Sequence, residues 1–231
     1  MNEVLRQEKK FLISADQYYQ YSHYFENILS LDAHSHGDGY EIRSLYFDSL
    51  DDRDFQEKED GVEVRRKIRL RNYGADSPFA MLEMKQKQGI LQKKRSLKMK
   101  REDAEKLMTG EYSVLLQYPD DFEAECYALM SMHCYRPVCV VSYMRKAFIA
   151  KENKIRITFD HHIAASESNF DIFSNDLIQN SVLHPYLAVL EVKYNGFLLS
   201  YIKDTINRID KSETALSKYC LGRTIGKHYL F

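Results

Sequence analysis

Residues 65–73 read RRKIRLRNY. Taken as a strand, whose side chains alternate between faces at a rise of about 3.3 Å per residue, they put Arg65, Lys67, Arg69 and Arg71 in one row. The opposite face is then Val64, Arg66, Ile68, Leu70 and Asn72, whose apolar members must pack on a core. The pattern recurs. Glu8-Lys9-Lys10, Glu83-Met84-Lys85 and Glu191-Val192-Lys193 are three E-x-K units in strand-like segments, and period 2 places each Glu beside its Lys. Lys87 extends the Lys85 row, Tyr143 shares a face with Arg145, Arg156 with Thr158 and Asp160, and Lys93 with Arg95. Phe11 and Ile13, Leu82 and Met84, and Leu190 and Val192 hold the apolar faces.

One such unit is explained by a solvated strand with cross-strand ion pairs. Repetition on this many strands points instead to a lumen lined with cations, which repel one another unless a polyanion fills it. Carboxylates interspersed among the cations suit a divalent metal bridging to phosphate oxygens. The expected ligand is therefore a phosphate chain with Mg²⁺ or Mn²⁺. Nucleic acid fits poorly, because it needs a wide groove or an aromatic platform, and acidic residues within the face oppose it.

The elements that must carry these residues are mostly strands, at 4–13, 40–48, 62–72, 79–88, 90–98, 138–150, 154–160 and 187–194, rich in β-branched and aromatic residues. Short turns at 72–78, 87–89 and 150–153 carry Gly, Asp, Pro or Asn, as hairpins do. Helical patterns cover 14–31, with Ser14 and Gln17 as a capping box, then 101–108, 121–133 and 197–209. The stretches 32–39 and 166–181 read as linkers, yet no domain boundary emerges, so a single domain over 1–231 is expected. Antiparallel strands with helices at ends and crossovers suggest an α+β fold built on a closed or nearly closed barrel.

The 231 residues, 44% of them hydrophobic, are ample for a packed core. Net charge is only −1, but residues 58–101 hold 14 Lys or Arg against 5 Asp or Glu, so the basicity is local. Cys126, Cys134, Cys139 and Cys220 form no CxxC pair, and the N-terminus lacks an apolar signal core, which suggests reduced thiols in a cytoplasmic protein. No apolar run approaches the ~18 residues of a transmembrane helix, although a membrane-bound partner fits the reading. P-loop, dinucleotide-binding and nucleophile-elbow motifs are missing, so side chains rather than a glycine-rich loop must hold phosphates. His161 and His162 read as loop histidines, since adjacent strand residues face apart, and His34 and His36 sit in a polar loop.

The stretches EKKFLI (8–13), RSLYFDS (43–49), RRKIRLRNYG (65–74), LEMKQK (82–87), VSYMRKAF (141–148), KIRITFD (154–160), VLEVKY (189–194) and LSKY (216–219) resemble, in order, the motifs of the VTC domain. This is the polyphosphate-polymerase branch of the triphosphate tunnel metalloenzymes, related to the CYTH proteins. The resemblance implies an eight-stranded antiparallel barrel forming a tunnel, decorated by helices. It also implies transfer of the γ-phosphate of ATP to inorganic polyphosphate with a divalent metal. Lys10, Arg69, Arg71, Lys85, Arg145, Arg156 and Lys218 match the family's catalytic cations. Arg65, Lys67, Lys87, Lys93, Arg95, Tyr143, Lys193 and Ser217 are the expected substrate contacts. Glu191 matches the metal ligand, with Glu83 and Glu8 as further candidates. Where family polymerases can carry another lysine three residues before Lys218, this chain has Ala215. If a chain end attacks, the enzyme is a polymerase; if water attacks, a tripolyphosphatase; without turnover, a polyphosphate-binding module.

Overall fold

A computed structural model describes residues 6–89, 91–209, 212–213 and 216–226. In chain order the elements are β1 (Arg6–Ser14), α1 (Ala15–Ile28), β2 (Ser30–Leu31), β3 (Tyr40–Asp48), α2 (Arg53–Glu59), β4 (Val64–Asn72), β5 (Phe79–Gln88) and β6 (Leu91–Lys100). They continue with α3 (Arg101–Met108), α4 (Asp121–Met132), β7 (Arg136–Ala150), β8 (Ile155–Ser166), β9 (Asn180–Ser181), β10 (Leu187–Asn195), α5 (Ser200–Arg208), β11 (Ser212–Glu213) and α6 (Lys218–Gly222). Short 3₁₀ turns cover Tyr112–Gln117 and Glu152–Lys154. All eight expected strands form; the one expected at 154–160 runs on to Ser166, and the other described ends lie within a few residues of expectation. Residues 4 and 5 of the first expected strand, and Ala215, lie outside the described residues.

The fold is α+β, and every pairing given by residue register is antiparallel. Pairing that would close the strands into a barrel is not seen among the described residues. The chain divides into two compact units interleaved along the sequence: Met1–Glu41, Tyr143–Ile163 and Leu183–Ser217 form the first, and Ile42–Ser142, Ala164–Val182 and Lys218–Phe231 the second.

In the first unit, β1 pairs with β10 and β10 with β8, and the apolar faces of these strands meet α1 and α5. Phe11, Ile13, Leu190, Val192, Ile157 and Phe159 bury against Tyr18, Phe25, Ile202 and Ile206. Helix α1 starts where the sequence says it should: the Ser14 amide donates to Gln17 Oε1 at 3.1 Å and the Gln17 amide to Ser14 Oγ at 3.2 Å. Gly39 is required by space as well as by its φ of +114°, since a Cβ there would lie 2.2 Å from the Arg145 carbonyl oxygen.

In the second unit, β3, β4, β5 and β6 form a run of antiparallel neighbours. Its apolar face, Leu45, Phe47, Ile68, Leu70, Leu82, Met84 and Met99, packs with Ala104 and Leu107 of α3 and Phe122, Cys126 and Met130 of α4. The stretch 166–181 is no linker here, because Ile172 and Phe173 are buried in this core and the Ile172 carbonyl accepts hydrogen bonds from Arg43 (3.3 Å) and Asn72 (2.9 Å). Helix α2 was not expected from its polar sequence. It is held from outside: the amides of Asp54 and Phe55 donate to the Asp48 carboxylate at 2.8 and 2.9 Å.

Candidate functional site

The register of the second unit assembles a cationic face. Arg65 lies opposite Lys87, Lys67 opposite Lys85, and Arg69 opposite Glu83, while Lys85 in turn faces Lys94 on β6. Period 2 therefore gathers Arg65, Lys67, Arg69, Arg71, Lys85 and Lys87 as expected. The third strand differs. Lys93 and Arg95 fall on the apolar side, opposite Gln86 and Met84. There Arg95 pairs with Glu125 of α4 at 2.5 and 2.6 Å and lies 5.1 Å from the Phe122 ring centroid. Lys94 takes the position on the cationic face. The signal was in the turn: with Gln88 opposite Leu91, the hairpin has a two-residue loop, and a one-residue change of register exchanges faces.

Glu83 sits amid these cations and is only 2% exposed. Its Oε2 accepts from Arg69 Nε at 2.8 Å and Nη2 at 2.7 Å; its Oε1 accepts from Arg71 Nη2 and from Lys94 Nζ, the latter at 2.6 Å. Burial alone would raise this carboxyl, but Arg69, Arg71 and Lys94 overcome it and hold it well below the usual carboxylate range. Both oxygens of Glu83, a candidate metal ligand by its sequence, contact cations: Oε2 Arg69, and Oε1 Arg71 and Lys94. Burial lowers Lys94 to about 8; Glu83 opposes that shift, while Arg71 and Arg69 add to it. Arg69 Nη1 also donates to the Tyr46 hydroxyl at 3.3 Å, and Lys67 Nζ lies 5.2 Å from the ring centroid of Tyr219 on α6. Tyr219 stacks on Tyr46 at 4.9 Å and donates to the Asp48 carboxylate. Lys218 begins α6, with Ser217 just before it.

The first unit has its own charged face. Lys10 lies opposite Glu191, Glu8 opposite Lys193, Glu191 opposite Thr158, and Lys193 opposite Arg156. Lys193 Nζ contacts Glu191 at 2.6 Å and Lys10 Nζ contacts Glu8 at 3.0 Å. Arg145 forms a buried bidentate pair with Asp160 at 2.6 and 2.7 Å, lies 3.8 Å from Glu191, and rests 5.2 Å from the Tyr143 ring centroid. Burial favours its neutral form, yet Asp160, Tyr143 and Glu191 push it well above the ordinary arginine value. Arg156 reaches Asp32 at 2.8 Å and the Tyr40 hydroxyl at 3.1 Å. Asp32, from the stretch read as a linker, was missed, since only tertiary structure brings it to Arg156.

Among the described residues, no group of three or more His, Cys, Asp or Glu side chains is placed to hold a metal. His161 and His162 belong to β8 rather than to a loop, with His162 at a φ of 50°. Their Nδ1 atoms are 2.6 Å apart, and His161 packs on Tyr18 at 4.7 Å, so burial and His162 lower its pKa. All four cysteines are free thiols, and no described helix is long and apolar enough to cross a membrane.

Two charged strand faces built from E-x-K units have a counterpart among known families: the model of the VTC domain matches residues 5–225. The chain belongs to the VTC domain family. The match spans both compact units. Its fold is similar to a putative adenylate cyclase from Bacillus halodurans, at 13% identity and a TM-score of 0.56 over 94% of this chain and 97% of that one. It is equally similar to a putative adenylyl cyclase from Hippeastrum, described as having a dominant triphosphatase activity, at 11% identity and a TM-score of 0.56 over 94% of each chain. No curated protein matches. For a VTC domain, the expected catalytic cations are distributed as Arg69, Arg71, Lys85 and Lys218 in one unit and Lys10, Arg145 and Arg156 in the other.

Proposed function

We propose that this VTC domain is a single domain over residues 1–231 and a metal-dependent polyphosphate polymerase, moving the γ-phosphate of ATP onto a growing inorganic polyphosphate chain. The carrying observation is the cationic face of β4, β5 and β6, where Arg69, Arg71 and Lys94 converge on one buried carboxylate and Lys67 lies opposite Lys85 in the ladder. A face this rich in lysine and arginine suits a ligand with one negative charge or more on every phosphate. Closure of the eight long strands into a tunnel is part of this proposal, as is a cytoplasmic location.

Phosphoryl transfer depends mainly on in-line positioning and on neutralising charge over the transferred group. Arg69 and Arg71, fixed on a strand, would clamp phosphate oxygens, with Lys85, Lys67 and Lys94 along the same face. Lys10, Arg145 and Arg156 would offer contacts of the same kind on the face of the first unit, and Lys218 begins α6 with Ser217 just before it. Glu191 and Glu8 offer hard oxygen donors, and the Thr158 hydroxyl opposite Glu191 is buried without a hydrogen-bond partner. This donor chemistry fits Mg²⁺ or Mn²⁺, which needs only one or two carboxylates beside substrate phosphates and water. When bound, such an ion would supply charge neutralisation at the phosphates.

The test is incubation with ATP and Mn²⁺ or Mg²⁺, followed by separation of ADP, phosphate and polyphosphate. ADP and polyphosphate are expected, with free phosphate minor. The triphosphatase activity of the Hippeastrum neighbour supports a second reading, a tripolyphosphatase with the same lining residues. Rapid cleavage of tripolyphosphate with no chain made from ATP would replace the first reading with that one.

A further inference from the structure

A buried anion at the centre of an anion-binding face needs a reason. On charge alone, Glu83 opposes any phosphate ligand, and the strand would be more cationic with a neutral residue there. The geometry gives another role. Arg69, Arg71 and Lys94 come from two strands on either side of β5 and all converge on one carboxylate, with contacts of 2.7 and 2.8 Å from Arg69 and 2.6 Å from Lys94. Arg71 has no hydrogen-bond partner at its buried Nε, so among the described contacts Glu83 supplies the hydrogen bond that orients its guanidinium, which also lies 5.5 Å from the Tyr73 ring centroid. Without Glu83, two guanidinium groups and an ammonium packed this closely would repel and turn toward solvent, and long cationic side chains lose much rotamer freedom when fixed again.

We infer that Glu83 is a positioning residue, which holds Arg69, Arg71 and Lys94 together as a preformed anion clamp and itself touches no phosphate. The inference rests on the proposed phosphate-binding role of this face. It follows that removing a negative charge from a site for a polyanion should weaken binding, which is the reverse of what simple charge counting demands.

The experiment measures calorimetric affinity for tripolyphosphate, without metal, in the wild type and in Glu83→Gln, together with the Arg69 Nε–H resonance in both. The variant should bind about tenfold more weakly, the scale on which charge-assisted hydrogen bonds and preorganisation act, and should lose the protected Arg69 Nε–H signal. Equal or tighter binding would overturn the inference. If Glu83→Gln does not melt cooperatively, Glu83→Asp is read by the same criteria, because it keeps the charge but is one methylene too short to reach all three cations. If the wild type fails to bind tripolyphosphate, the proposed function falls and the resonance decides alone: its loss in the variant keeps the positioning role, and its retention removes it.

Discussion

The two compact units use the same strand alternation to present cations, but they supply carboxylates differently. In the second unit, Arg69, Arg71 and Lys94 share Glu83, while Lys67 and Lys85 face each other across the ladder. In the first unit the carboxylates nearly match the cations: Arg145 has Asp160, Lys193 has Glu191, Lys10 has Glu8 and Arg156 has Asp32. On the proposed function, the face where three cations share one carboxylate would meet the phosphate chain, and the face of one-to-one pairs would hold oxygen donors for a metal ion. The difference is set mostly by which residues alternate on the strand faces, and at Arg156 by Asp32, which tertiary structure brings from outside the strands.

The comparison breaks most sharply at Arg69. Arg69→Ala should lower turnover about 100-fold, as removal of a preorganised charge stabiliser does, and should raise KM as well. Arg66→Ala, on the other face of the same strand and 4.0 Å from Asp54, should leave KM near the wild-type value. Equal losses in kcat and KM for both would show that the strand's total charge matters and its cationic face does not.

For the balanced face, Glu191→Gln is expected to reduce metal-dependent turnover by about 10–100-fold while tripolyphosphate affinity without metal stays level or rises. A titration with Mn²⁺ separates the cases: recovery of full activity at wild-type metal concentrations would show that Glu191 serves only as the partner of Lys193 and Arg145. Salt sharpens the contrast further. Ligand binding at the cationic face of β4, β5 and β6 should weaken steeply between about 50 and 200 mM salt, as expected when lysines and arginines neutralise phosphates.

How much of this was legible in the sequence depended on how far apart the partners lie. The faces of β4, β5 and β10 follow from period 2 alone, and Ser14 with Gln17 announced α1. The face of β6 needed the parity of one hairpin loop, and reading the turn as 87–89 exchanged Lys94 for Lys93 and Arg95. Ile172 and Phe173 sit among Ser, Asn and Asp, so nothing local marks them as core. Helix α2 has no apolar stripe and depends on the Asp48 carboxylate and the Ser49 hydroxyl, which accepts from the Arg53 amide at 3.0 Å. E-x-K spacing records the type and face of Glu83, whereas its contacts with Arg69, Arg71 and Lys94 come from the neighbouring strands and are not written in its own segment.

The smallest expected effect concerns stability and contrasts two buried carboxylates of the second unit. Glu83 is lowered by its cations, so its contribution to stability is present above about 4.5, its ordinary value, and is lost as the pH falls below that. Asp54 behaves oppositely. It is 1% exposed, its Oδ2 accepts from the Tyr135 hydroxyl at 3.0 Å, and its Oδ1 has no hydrogen-bond partner. Burial first, and then the nearby Asp48 carboxylate, raise it to about 7, with Tyr135 and Arg66 only partly opposing. An unfolded aspartate ionises near 3.8, so between that value and about 7 the unfolded chain gives up its proton while the folded one keeps it. The stability contributed by the protonated carboxyl is therefore full below 3.8 and is lost as the pH rises through 7. Asp54→Asn does not titrate and can still accept from Tyr135, so its stability relative to the wild type should increase from pH 5 to pH 8, by about 1–2 kcal/mol. Thermal melts at the two pH values read this directly. An advantage that stays constant with pH would mean that Asp54 is ionised in the folded protein throughout, and that Arg66 compensates it as the cations compensate Glu83.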